Sequence, residues 1–113
     1  ETLQTVKFMP SPKMSSYLLA CCIGSFEFLQ GTTKRGTLIR VLTVPGKSSQ
    51  GAYALEVAVR SLEYYEDFFA IDYVLPKLDM IAVPDFAAGA MENWGLVTYR
   101  EIDLLCDPTT VSA

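Results

Sequence analysis

From Ser49 to Phe69 apolar residues recur at intervals of three and four, with Leu55, Ala58, Val59, Leu62, Tyr65 and Phe69 on one side and Glu56, Arg60, Glu63 and Asp67 on the other. That spacing is the 3.6-residue period of an amphipathic helix laid on a core. Glu56 and Arg60 stand in i, i+4 order, an arrangement that stabilises a helix surface by about 0.2–0.5 kcal/mol. Ser48 or Ser49 is placed to cap the first turn, which Gly51 weakens.

Around this helix the pattern is strand-like. Met14 to Ile23 is apolar and free of charge after the Pro10-Ser11-Pro12 punctuation, which predicts a buried strand. Ser25 to Gln30 sets Phe26 and Phe28 on one face, and the glycine-flanked run Gly31 to Gly36 reads as a turn. Leu38 to Val44 is rich in β-branched residues, with Arg40 its only charge. Beyond the helix Pro76 stops any continuation, and Leu78 to Val83 forms a short apolar strand that Pro84 closes. Asp85 to Glu92 is then a loop and Leu96 to Arg100 a further strand. Strand, helix, strand, loop, strand is an α/β (α+β) arrangement.

Composition narrows the function classes. Nine basic and thirteen acidic residues give a net charge of −4. Apart from Lys34-Arg35 the basic residues are scattered, which excludes the clustered cationic face that nucleic acid requires. The apolar run Tyr17 to Ile23 falls far short of the ~20 residues that cross a bilayer, so no membrane segment is expected. Three cysteines, Cys21, Cys22 and Cys106, lack metal-knuckle spacing and read as small buried thiols of a reducing compartment. The chain opens on Glu1 rather than Met and closes in a small polar run, as a segment of a longer protein would.

Candidate chemistry gathers in Gly89-Ala90-Met91-Glu92-Asn93, where a lone carboxylate sits in a glycine-containing loop with apolar neighbours. With its flanks, Pro84-Asp85-Phe86-Ala87-Ala88 before and Trp94-Gly95-Leu96-Val97-Thr98-Tyr99-Arg100-Glu101 after, this stretch resembles the exopeptidase signature of the gluzincin (M1-type) zinc aminopeptidases. Phe8 to Ala20, Gly46-Lys47, Gln50-Gly51 and Tyr73 to Asp79 extend the resemblance over nearly the whole chain and favour the branch of cytosolic puromycin-sensitive aminopeptidases. The resemblance implies that residues 1–30 end an N-terminal antiparallel β domain and that residues 31–113 begin a thermolysin-like catalytic domain, incomplete here. It also implies a cytoplasmic parent enzyme that removes N-terminal residues from peptides with free N-termini, using Zn2+ held by a His-Glu-x-x-His helix and a downstream Glu. The chain contains no histidine, so those ligands lie outside it, and these residues alone are not expected to hydrolyse peptides.

By resemblance, Glu92 receives the substrate α-ammonium, a charge-assisted contact worth about 1.5–3 kcal/mol. Gly89 and Ala90 leave the main chain open to an extended peptide. Met91 borders the pocket for the first side chain with an adaptable thioether, and Asn93 fixes the loop through side-chain to backbone bonds. Each residue also has a plainer reading. Glu92 could be a solvated loop carboxylate, Met91 and Trp94 core residues, and Gly89 and Gly95 turn formers. Asp85 and Glu101 are structural, and Tyr64, Tyr65 and Tyr73 pack at the helix end. The alternative from another class is a naturally truncated, non-catalytic module that binds peptides or regulates.

Overall fold

A computed structural model describes residues 3–107 and places five strands in one mixed sheet: β1 (Glu27–Thr32), β2 (Leu38–Thr43), β3 (Lys77–Val83), β4 (Ala90–Met91) and β5 (Leu96–Arg100), in the order β1-β2-β3-β5-β4. The two central pairings, β2 with β3 and β3 with β5, are parallel, and β1 and β4 flank them antiparallel. Parallel neighbours need a crossover, which helix α1 (Ala52–Phe69) supplies between β2 and β3. The fold is thus α/β, with β3 at its centre. β1 runs through positions 30 and 31, so the sheet starts at Glu27.

Alternation along the strands defines two faces. Val41, Met80 and Ala82 share one face and form the core with Leu104, against Ala54, Leu55 and Ala58 of α1. Close approach to the sheet depends on glycine at the head of the helix, where a Cβ on Gly51 would stand 2.7 Å from Val41 Cγ1. The opposite face carries Arg40 and Asp79 opposite each other in register, and Arg40 also lies 5.8 Å over the Phe28 ring.

Several sequence expectations are corrected. Met14 to Ile23 is not a buried strand: it contains one 3-10 turn, Ser16–Leu18, capped by Ser15, and Ile23 is 93% exposed. The run joins no strand of the described residues, and an apolar segment without a ladder partner leaves its backbone groups unpaired. The 3-10 turn Ser48–Gly51 leads directly into α1, so Gly51 is the N-cap and neither Ser48 nor Ser49 caps the helix with its side chain. Of the three cysteines, Cys21 is exposed and Cys22 and Cys106 are only half-buried.

The last turns of α1 also depart from the predicted stripe. Tyr65 and Phe69 are exposed, stacking on each other and edge-on to Tyr64 and Phe68, whereas Glu66 is buried. Glu66 Oε1 accepts the Tyr73 N–H at 2.9 Å across the reversal that follows the helix, and Oε2 faces Arg35 Nε at 3.6 Å. That reversal begins at Ala70, whose φ of 52° closes the helix in the left-handed conformation. The Glu56–Arg60 pair forms as expected, at 2.8 Å.

Candidate functional site

The segment between β3 and β5 leaves the sheet at Pro84, returns as the two-residue edge strand β4, and turns back at Gly95. Asp85 takes a left-handed φ of 53° at its start, a conformation that Asp tolerates. Ala87 to Ala90 are exposed. β4 pairs with β5 through Ala90 opposite Tyr99 and Met91 opposite Thr98, and it ends the sheet.

Glu92 lies immediately beyond. Asn93 N–H donates to Met91 O at 2.9 Å, closing a three-residue turn with Glu92 at its apex. Asn93 O then accepts from Leu96 N at 3.0 Å, with Gly95 at φ 83°. That φ is what requires glycine there, since L side chains rarely adopt it. Asn93 is buried: its Oδ1 accepts from Thr98 Oγ1 at 3.1 Å and its Nδ2 donates to Leu18 O at 3.2 Å. The apex is therefore pinned from below. Glu92 is exposed and, among the described residues, makes no hydrogen bond or ion pair.

Alternation sets Ala90 and Tyr99 on the face that packs against α1, and Met91 and Thr98 on the other. Tyr99 lines an apolar groove of about 460 Å3 that runs between α1, the β3–β5 half of the sheet and the single turn α2 (Glu101–Leu104). Ala58, Leu62, Leu78, Met80 and Leu104 form its floor and walls. The Tyr99 phenol is held above its ordinary pKa by burial and by the Glu92 carboxylate, so the charge of Glu92 is felt at this end of the groove. Asp103 of α2 stands against the loop, its Oδ2 3.3 Å from where a Cβ on Gly89 would lie.

Two parts of this site escape sequence reasoning. Arg100 reaches back to the loop, donating from Nε to Phe86 O at 3.0 Å and from Nη2 to Ala87 O, while its own N–H bonds Gly89 O at 2.8 Å. Beneath Gly95 lies an ion cluster. Arg40 grips Asp79 with Nε at 2.7 Å and Nη2 at 2.6 Å, and Lys77 Nζ bridges Asp79 Oδ2 at 2.8 Å and Gly95 O at 2.9 Å. Burial works to raise the Asp79 carboxyl, but the hydrogen bonds from Arg40 and Lys77 outweigh it and hold the group below the ordinary carboxylate range. Tyr73, beside this cluster, is pushed up to about 12 by burial and by the Asp79 charge, and its buried hydroxyl has no hydrogen-bond partner among the described residues. A readable signal existed: Lys77 and Asp79 alternate on one face of an otherwise apolar strand, where buried charge demands a partner.

Among the described residues no three His, Cys, Asp or Glu side chains group to hold a metal ion. Zn2+ is held by His, Cys, Asp and Glu donors, and the chain contains no histidine. No helix of the described residues is long and apolar enough to cross a membrane.

The peptidase family M1 domain matches residues 53–113, the part that runs from α1 through the Glu92 loop. The chain belongs to peptidase family M1. Its similarity to family members covers almost its whole length. It is 58% identical to Aminopeptidase M1-B of Oryza sativa subsp. japonica over 111 residues, 98% of this chain and 13% of that protein. To the Puromycin-sensitive aminopeptidase of Caenorhabditis elegans it is 55% identical over 109 residues, 96% of this chain and 12% of that protein. To Endoplasmic reticulum aminopeptidase 2 of Bos taurus it is 50% identical over 105 residues, 93% of this chain and 11% of that protein. The M1 chain thus spans about one-eighth of the length of the curated relatives it matches.

Proposed function

We propose that this M1 chain is the substrate-recognition segment of a zinc-dependent aminopeptidase, with residues 1–30 ending its N-terminal β domain and residues 31–113 opening its thermolysin-like catalytic domain. The observation that carries the reading is Glu92: a carboxylate at the apex of a pinned turn, exposed and unpaired among the described residues, at the edge of the sheet beside an apolar groove. An ionised carboxylate in that position meets an ammonium group through charge-assisted hydrogen bonds, while an N-blocked peptide offers it nothing. Gly89 and Ala90 lie at and before β4, the last strand of the sheet, where an extended peptide can add as a further strand. Met91 borders the first residue of the substrate from the other face. Asn93, buried and bonded to Thr98 and Leu18, holds the turn.

Holding one end of the peptide sets which bond reaches the cutting machinery, so the contact serves register as much as affinity. Zinc, when bound in the full-length enzyme, supplies a nucleophilic water and polarises the scissile carbonyl. Its ligands come from outside these residues. The cytoplasmic setting belongs to the same proposal, and imaging of the tagged full-length protein decides it.

Glu92→Ala in the full-length enzyme is expected to lower kcat/KM for free-amine peptides by about 10- to 150-fold, the value of one charge-assisted contact. Bound zinc should be unchanged. Unaltered kinetics would remove Glu92 from the mechanism.

A further inference from the structure

The Glu92 loop has little side-chain substance with which to hold itself: Ala87, Ala88, Gly89 and Ala90 follow one another at its exposed side. Besides the buried Asn93 at its exit, what holds it are two cations, each anchored in a strand and bonded to main-chain carbonyls of the loop. On the entry side, Arg100 at the end of β5 donates to Phe86 O and Ala87 O, and its backbone N–H fastens Gly89 O. On the exit side, Lys77 at the start of β3 donates to Gly95 O at 2.9 Å, and that same oxygen accepts the Asp79 N–H at 3.0 Å.

Neither cation is free to wander. Arg100 is locked by the register of β5 against β3, with Val83 opposite it. Lys77 is tethered by Asp79, itself buried and gripped by both arms of Arg40. Hydrogen bonds from a charged donor to a carbonyl are stronger than neutral ones. Several of them, placed on both sides of one apex, fix the position of a side chain that neither cation touches.

We propose that Arg100 and Lys77 are positioning residues for amine recognition: they bracket the loop through its carbonyls so that Glu92 meets the substrate ammonium preorganised. The inference rests on reading Glu92 as the amine receptor. A loop that must be ordered at each encounter loses affinity to that ordering, and the loss falls on the contact at its apex. The bracket therefore controls how well the enzyme distinguishes a free amine from its absence, rather than how well it binds apolar side chains.

The test compares competitive inhibition of the full-length enzyme by a leucine-based inhibitor and by its des-amino counterpart. The ratio of the two inhibition constants isolates the amine contact, about 10- to 150-fold in the unmodified enzyme. Arg100→Met and Lys77→Met are each expected to lower that ratio about tenfold, with the des-amino constant and the zinc content unchanged. Arg100→Lys and Lys77→Arg should recover most of it. A role confined to general stability would shift both inhibitors together and leave the ratio intact. Where a Met variant does not fold, Arg100→Gln or Lys77→Gln, which still donates to one carbonyl, decides in its place by the same ratio. If Glu92→Ala keeps the ratio, the amine reading fails and the bracket with it. If Glu92→Ala abolishes the ratio while Arg100→Met and Lys77→Met preserve it, the bracket alone is overturned.

Discussion

Asp79 lies in the strand that leads into the loop and Glu92 at the loop's apex, and the fold treats the two carboxylates in opposite ways. Asp79 sits inside the sheet at 4% exposure with three hydrogen bonds from Arg40 and Lys77. Glu92 projects from the edge and, among the described residues, has no such bond. The sheet's interior carboxylate is committed to structure, because its attraction to the cations must offset the cost of leaving water. The loop carboxylate has paid no such desolvation cost and remains able to receive a visiting cation. A carboxylate's availability therefore follows from which cations its own fold places within reach, and not from its residue type.

The widest separation between the two is expected in stability. Asp79→Asn leaves Arg40 and Lys77 facing a neutral partner, and loss of a buried pair costs about 3–5 kcal/mol. Arg40 and Lys77 are 31% and 39% exposed, so solvent recovers part of that and about 3 kcal/mol is expected. Glu92→Gln should change stability by less than about 0.5 kcal/mol, as for surface positions in general. Urea unfolding of the 113-residue chain measures both. Equal effects would erase the distinction drawn between the two carboxylates.

Acid supplies a second, smaller separation. The folded Asp79 carboxyl is depressed below its unfolded value, so its contribution is present above the unfolded pKa of about 4 and is lost as pH falls through the folded one. The parent chain should therefore lose stability on descending below about pH 4, whereas Asp79→Asn should follow a flatter course there. Midpoints of urea unfolding collected across that range show whether the slope belongs to Asp79.

Much of this contrast was open to reading from the chain, and the reasons for the rest are physical. The helix, β2, β3 and β5 declared themselves because period and punctuation are local properties. Met14 to Ile23 did not behave as its composition implied. Ile81 in β3 is 2% exposed and Ile23 is 93% exposed, although both belong to uninterrupted apolar runs. β3 lies between β2 and β5 and is paired on both edges, and no feature within a run announces whether such neighbours exist. The loop was legible from Pro84, Gly89 and Gly95, and Glu92 from its isolation. The bonds from Arg100 to Phe86 and from Lys77 to Gly95 were not, since they depend on the order of strands in the sheet. Burial of Glu66 is of the same kind: only the meeting of the hairpin turn at Arg35 with the reversal at Tyr73 makes it necessary. The single turn α2 was too short to show a period, and Glu101 within it pairs with Lys47 at 2.9 Å.

The finest probe of the Asp79 side is Tyr73. Its hydroxyl is buried beside the ion cluster without a hydrogen-bond partner among the described residues, so its desolvation is not offset by a bond. Tyr73→Phe removes one oxygen and retains the ring, and the expected result is a gain of about 0–1 kcal/mol in urea unfolding rather than a loss. The parent has a further signature. Because burial and Asp79 raise the folded phenol to about 12, the stability tied to its neutral form is complete below the unfolded value of about 10. It declines as pH rises through the folded pKa. Tyr73→Phe should abolish that alkaline decline, and Asp79→Asn should make it smaller, because removing the negative neighbour brings the folded phenol closer to its unfolded value. A destabilising Tyr73→Phe would mean that the hydroxyl has a partner after all, and the Asp79 cluster would then extend one residue further than Arg40 and Lys77.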